Sequence, residues 1–285
     1  MQIAVVLTTY NRPDALSAVI EGYLGQTDSA FAVVVADDGS TAATREVVDR
    51  FRARAPFPLA HVWHEDRGFR AGAIRNRAVA GTDAPYLLFS DGDCVPVLDF
   101  VARHRALAEP GWFLVGHRVL LTERLSSRVL RDGVPVSRWG AGRWLRAWLA
   151  RDLDRLLPLL RVPDLGAVRR LAPARWEGAK TCNLSLWRSD FLAVNGFDES
   201  YAGWGLEDSD LVIRLLAAGI RRNRFRLAGP IDGCCSADMC FLSICREVRK
   251  APQEIFCVAD SKPDGTPHGK IGFDRCHHPF TSGHG

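Results

Sequence analysis

Three times in its first 93 residues the chain repeats one pattern: a short apolar run stops at a polar cluster. Residues 3–7 run into Thr8-Thr9-Tyr10-Asn11-Arg12-Pro13, residues 31–36 into Asp37-Asp38-Gly39-Ser40-Thr41, and residues 86–90 into Asp91-Gly92-Asp93. Continuous apolar runs of this length read as strands buried on both faces. Helical spacing lies between them. Leu16, Val19, Ile20, Tyr23 and Leu24 mark a helix over 14–25, and further helices are expected over 42–54 and 71–80, with a third strand at 59–64. Strand–helix alternation predicts an α/β fold: a parallel sheet covered by helices, with ligands beyond the strands' carboxyl ends. All three polar clusters fall at such ends, so residues far apart in sequence should converge.

Composition narrows the reading only a little. The chain has 285 residues, 25% of them charged and 47% apolar, with a net charge of +4, and nothing in this balance calls for a nucleic-acid partner. No basic leader opens it and no run reaches 18 apolar residues, so a cytoplasmic protein is expected, at the inner face of the cell membrane if it meets lipid. Residues 118–176 hold thirteen arginines together with Trp139, Trp144, Trp148 and Trp176. An amphipathic helix is expected over 143–161. A packed helix with solvated arginines is the plainer reading of 138–161, and peripheral contact with an anionic membrane surface is the other. Order returns after Thr181, with a strand from Cys182, a helix starting at Ser189-Asp190, and a helix from Glu207 to a stop at Gly219.

The motifs carry chemistry unevenly. Asp91 and Asp93 are two residues apart at a strand end, so they face one side, and paired carboxylates suit a hard divalent cation. Taken alone, the pair reads more simply as a surface turn with two solvated aspartates. Gly92 between them would let a ligand approach the backbone. Asp37 or Ser40 reads as a helix cap, whereas Asp38 is free to accept hydrogen bonds from a base or ribose. Arg67, Arg70, Arg75 and Arg77 surround Gly68 and Gly72 and offer phosphate ligands, or merely a solvated helix face. Glu207-Asp208 opens a helix, where acids are favoured by the dipole, but a carboxylate there could also act as a general base, with Trp204 as a sugar platform.

Together these motifs resemble the inverting family 2 glycosyltransferases of the GT-A fold. The resemblance rests on residues 8–13, 36–40, 68–76 (GFRAGAIRN), 90–93 (SDGD) and 203–210 (GWGLEDSD), in the family's order, and spans roughly 2–228. Residues 183–210 are further similar to the carboxyl half of galactosyl- and N-acetylhexosaminyl-transferring members. It implies a Rossmann-like, mixed but mostly parallel sheet with helices on both faces. Residues 1–117 would bind the donor, 118–230 would bind acceptor and carry the base, and 231–285 would be an atypical tail. Thr8, Tyr10 and Asp38 would hold the uridine of a UDP-sugar, with Arg70 near the base or diphosphate. Asp93 would be the main ligand of Mn2+ or Mg2+, with Asp91 on ribose or metal-bound water. Asp208 would be the catalytic base, and Trp204 and Glu207 would place a glycan or glycolipid acceptor. The competing functions are an inactive sugar-nucleotide-binding protein and a nucleotidyltransferase, the latter without the expected Lys-bearing phosphate loop.

The composition breaks near Pro230. Six of eight cysteines and three of four lysines follow it, while 30 of 33 arginines precede it. The family's usual histidine segment, which completes the metal site, is not recognisable beyond Leu227. A frameshift or an unrelated fusion from about residue 231 is the expectation. A zinc site in the tail is the rival, and it lacks paired C-x2-C spacing.

Overall fold

The computed structural model describes residues 1–156, 159, 173–201, 205–224 and, for the backbone, 240–243. These lie within one unit, Met1–Glu247. Its first half repeats strand and helix: β1 (Ile3–Thr9), α1 (Pro13–Leu24), β2 (Phe31–Asp37), α2 (Ala42–Arg52), β3 (Leu59–Trp63), α3 (Ala71–Ala80) and β4 (Tyr86–Asp91). Then come β5 (Cys94–Pro96), α4 (Phe100–Leu107), β6 (Trp112–Val115), β7 (His117–Leu120), α5 (Glu123–Asp132) and α6 (Ala141–Leu149). The last described elements are β8 (Asn183–Trp187), α7 (Arg188–Ala193), α8 (Glu207–Ala217), β9 (Arg221–Arg224) and β10 (Cys240–Ser243).

Seven strands form one sheet in the order β3-β2-β1-β4-β8-β6-β9. Only β8 runs against its neighbours; the other pairings are parallel. The sheet is therefore mixed and mostly parallel, as expected. A second, three-stranded sheet runs β5-β10-β7, so a strand from beyond Pro230 pairs between two strands that precede it.

Side-chain alternation divides the core into two. Ile3, Val5 and Leu7 of β1 pack with α1 and α2, while Ala4 and Val6 pack with α3, α7 and α8. The same alternation holds on β2 (Val33 and Val35 against Val34 and Ala36) and β4 (Leu88 against Leu87 and Phe89). Helices thus cover both faces, which explains why these strands carry no polar face at all. The registers match Thr8 with Asp91 and Thr9 with Asp37, so the three polar clusters line one rim of the sheet.

One helix ends early. The helix expected over 143–161 stops at Leu149. Arg151 takes φ of 55°, its N–H donates to the Trp148 carbonyl, and the Asp152 N–H donates to the Ala147 carbonyl. This pair of bonds closes the helix in a Schellman turn, with arginine where glycine is usual. The turn delivers Leu153 to a bridge with Leu121 and the Asp152 carboxylate to Arg124.

Candidate functional site

The rim is organised by Arg75, which is only 5% exposed. It sits on α3 at the position that Ala71, Ile74 and Ala78 mark as the inward face. Its Nε donates to Thr8 Oγ1 at 2.9 Å. Its two Nη atoms lie 3.5 Å from Asp91, 3.4 Å from Glu207 and 3.5 Å from Asp208, and the guanidinium stands over the Phe197 ring. By alternation Thr8 and Asp91 both point to the α3/α8 face, so one cation joins β1, β4 and the start of α8. Among the described residues Glu207 Oε2 is buried without a hydrogen-bond partner.

Negative charge exceeds positive charge here. Burial pushes the Asp91 carboxyl up to about 7; Arg75 opposes this, and Asp93 and Asp208 add to it. Arg118 on β7 is the second cation here: burial opposes its charge, but Cys182 and Cys94, and after them Asp91 and Asp93, hold its guanidinium more firmly protonated. Ligand atoms of Asp91, Asp93 and Cys94 lie within 4.8 Å of one another. The Cys94 thiol is pushed far up by burial and points its proton at Asp93 Oδ1, 3.4 Å away. Two crowded carboxylates, one of them pushed upward by burial and by its acidic neighbours, fit a divalent cation.

Asp208 is aimed by Thr181, whose hydroxyl donates to Oδ1 at 2.6 Å and whose N–H donates to Oδ2 at 3.1 Å. Thr181 is there because β8 pairs antiparallel with β4, Asn183 opposite Ser90, so β8 begins where β4 ends. A carboxylate oxygen has two lone pairs, so Oδ2, which accepts only the Thr181 N–H among these contacts, keeps room for a substrate proton.

The other expected donor residues lie along the rim, and not all are free-standing. Asp38, only 3% exposed, is held by His64 Nε2 at 2.6 Å and by the Arg70 N–H at 2.9 Å. The Arg70 side chain turns back to the Glu65 carbonyl. Tyr10 is half exposed and donates to Asp66 at 2.8 Å. Asp37 accepts from the Ser40 N–H, closing the turn before α2, and pairs with His61. Gly92 has a different reason from the one its sequence suggests: a side chain there would strike Thr9 Cβ at 2.9 Å and the Thr8 carbonyl at 3.0 Å. Its N–H donates to that carbonyl at 2.6 Å, clamping the acidic turn onto β1. Trp204 lies outside the described residues, as do the tail histidines and all tail cysteines but Cys240.

Behind the rim lies a second buried network. Asn183 Nδ2 donates to the His117 carbonyl, so its Oδ1 must accept from His104 Nε2 (3.2 Å). His104 Nδ1 then accepts from Ser185 (2.7 Å), and Ser185 accepts from Tyr86 (2.9 Å). Only a neutral imidazole satisfies this chain, in keeping with a His104 pKa that burial lowers to about 3. Thr181 and this network were not assigned roles by sequence. Arg75 was read as a phosphate ligand or part of a solvated helix face; the structure instead buries it against Asp91, Glu207 and Asp208, and its signal was a charged residue within a helix's apolar stripe.

Comparison with known proteins bears on the fold and on two of its segments. Residues 4–124 match the model of glycosyl transferase family 2, and residues 171–231 match that of the N-terminal domain of galactosyltransferase. A validoxylamine A glucosyltransferase of Streptomyces hygroscopicus subsp. jinggangensis is 33% identical over 231 residues, 76% of this chain and 52% of that protein. The chain thus spans about half the length of the curated relatives it matches. The mannosyltransferase PcManGT from Pyrobaculum calidifontis, solved with GDP-Man and Mn2+, superposes with a TM-score of 0.57 at 17% identity, over 87% of this chain and 58% of that one. TarS of S. aureus, residues 1–349, does so at 0.51 and 15%, over 78% and 57%. At such identities the likeness speaks for a GT-A-like fold alone. Residues 4–124 are thus a glycosyl transferase family 2 segment, with a galactosyltransferase-type segment behind it.

Proposed function

We propose that this chain is an inverting, metal-dependent glycosyltransferase. It would move a hexose or N-acetylhexosamine from a UDP-sugar to a glycan or glycolipid acceptor in cell-surface polysaccharide or lipopolysaccharide synthesis. The observation that carries this reading is the convergence on Arg75 of Thr8 and Asp91 from one family segment with Glu207 and Asp208 from the other. Thr8, Tyr10 and Asp38 face the nucleoside, with Arg70 towards the base or diphosphate and Asp91 towards the ribose. Asp93 and Asp91 would hold Mn2+ or Mg2+, which would supply Lewis-acid stabilisation of negative charge on the diphosphate.

The chain's own residues do the rest. Asp208, fixed by Thr181, takes the proton of the acceptor hydroxyl. That oxygen forms its bond to the anomeric carbon from the face opposite the nucleotide, as the bond to the diphosphate oxygen breaks and UDP leaves with both electrons. Inversion needs no second carboxylate, because the leaving group is already an anion. Glu207, buried beside the base, and Trp204 place the acceptor.

A panel of UDP-sugars with Mn2+, read as UDP release and product formation, tests the reading. Turnover should appear with at least one donor, vanish on chelation, and fall in Asp93→Asn together with UDP affinity. Absence of turnover across the panel and an acceptor library would sink it.

A further inference from the structure

We infer that α6 and the turn after it form a docking surface for an anionic lipid bilayer. This goes beyond the transfer reaction and does not rest on it. The helix is attached to the fold through Trp144 and Ala147, which are buried. Leu145, Trp148 and Leu149 stand at i, i+3 and i+4, and so share one stripe of the helix. That stripe faces outward: the three are 44%, 44% and 67% exposed. Three large apolar side chains exposed together on two turns of one helix form a patch, not scattered surface residues.

The charge around the patch selects the occupant. Arg143 and Arg146 are exposed on the adjoining face of α6, Arg151 is exposed in the turn that ends it, and Arg138 is exposed just ahead of it. No acidic residue occurs from Gly133 to Arg151. Across 123–151 seven arginines oppose two carboxylates, an excess larger than the whole chain's net charge of +4. The rest of the chain is therefore close to balanced, and the net excess of positive charge falls in the segment that carries the exposed apolar stripe. Leucines and a tryptophan rimmed by arginines match the boundary between acyl chains and anionic headgroups, where the apolar stripe enters and the guanidiniums stay with phosphate. A protein partner or a second copy would need an apolar counterpart carrying acids; a bilayer of anionic lipid supplies both chemistries at once.

Flotation of the full chain with vesicles tests this. Binding is expected to vesicles of 30% phosphatidylglycerol in phosphatidylcholine and not to phosphatidylcholine alone, and to weaken at 0.5 M NaCl. The triple variant Leu145→Ser/Trp148→Ser/Leu149→Ser should lose at least tenfold in partitioning with an unchanged melting transition, and so should Arg143→Gln/Arg146→Gln/Arg151→Gln. The inference is overturned by any of three results: no binding to anionic vesicles, binding that both variants retain, or light scattering that shows a dimer which the apolar triple variant converts to a monomer.

Discussion

The His104 and Arg75 networks are buried in the same sheet and are built on opposite rules. Around His104 the protons run in one direction: Tyr86 to Ser185, Ser185 to His104, His104 to Asn183, Asn183 to the His117 carbonyl. The set is neutral and its hydrogen bonds are mutually satisfied. Around Arg75 one guanidinium faces Asp91, Glu207 and Asp208, and Glu207 Oε2 is buried without a hydrogen-bond partner among the described residues. That set is charged and open. A satisfied neutral network rigidifies the sheet and has no further demand. An open one with surplus negative charge retains a demand for a cation or a proton, and perturbed groups of this kind concentrate at reactive sites.

Substitutions can break this contrast or sharpen it. The largest effect is expected for Arg75→Leu, which leaves three carboxylates facing one another. It should cost about 3–5 kcal/mol of unfolding free energy in denaturant titrations and abolish transfer with it. A stable Arg75→Leu protein would mean that the cluster is not a coupled unit. Asp208→Asn comes next: roughly 10³-fold loss of turnover, with little change in UDP affinity by calorimetry or in melting temperature. If UDP affinity fell in parallel, Asp208 would belong to the donor site rather than to the acceptor's proton.

The neutral network should answer only in stability. Ser185→Ala orphans the Tyr86 hydroxyl and His104 Nδ1, and should cost about 1–3 kcal/mol while turnover per folded molecule stays put. Loss of turnover there would merge the two networks into one. The smallest effect is a pH slope. His104 is neutral in the fold down to about pH 3, whereas an unfolded histidine protonates near 6.5. The unfolded chain therefore binds the extra proton, so this contribution is fully present above about pH 6.5 and is lost progressively as pH falls towards 3. His104→Gln should flatten the difference in stability between pH 7 and pH 5, measured by denaturant midpoints.

Much of the first half was legible because each element announces its own end. Residues 3–7, 31–36 and 86–89 are apolar without break, and the polar clusters after them fall where the strands stop, within two residues. Farther along, β8, α7 and α8 were legible in the same way, but the stretch between β4 and β8 was not. β6 and β7 have four residues each, too few to show a period, and α4 and α5 carry arginines that blur their inward faces. The overrun of α6 has a single cause: arginine takes the left-handed position after it, so no glycine or proline marks the stop. The rim's acids were visible as motifs, but Thr181 was not. Its place beside Asp208 depends on β8 reversing next to β4, a pairing of residues about a hundred positions apart.

That reversed strand also sets an order of assembly. β8 enters the sheet between β4 and β6, so until residue 187 has been made neither β4 nor β6 has its partner on that side. At roughly 5–20 residues per second of synthesis, β4 waits roughly 5–20 s with its hydrophobic edge open. An open, flat, apolar edge is a template for wrong pairing. Every truncation between residues 91 and 187 makes that wait permanent, and such fragments should aggregate rather than persist as free-standing half-domains.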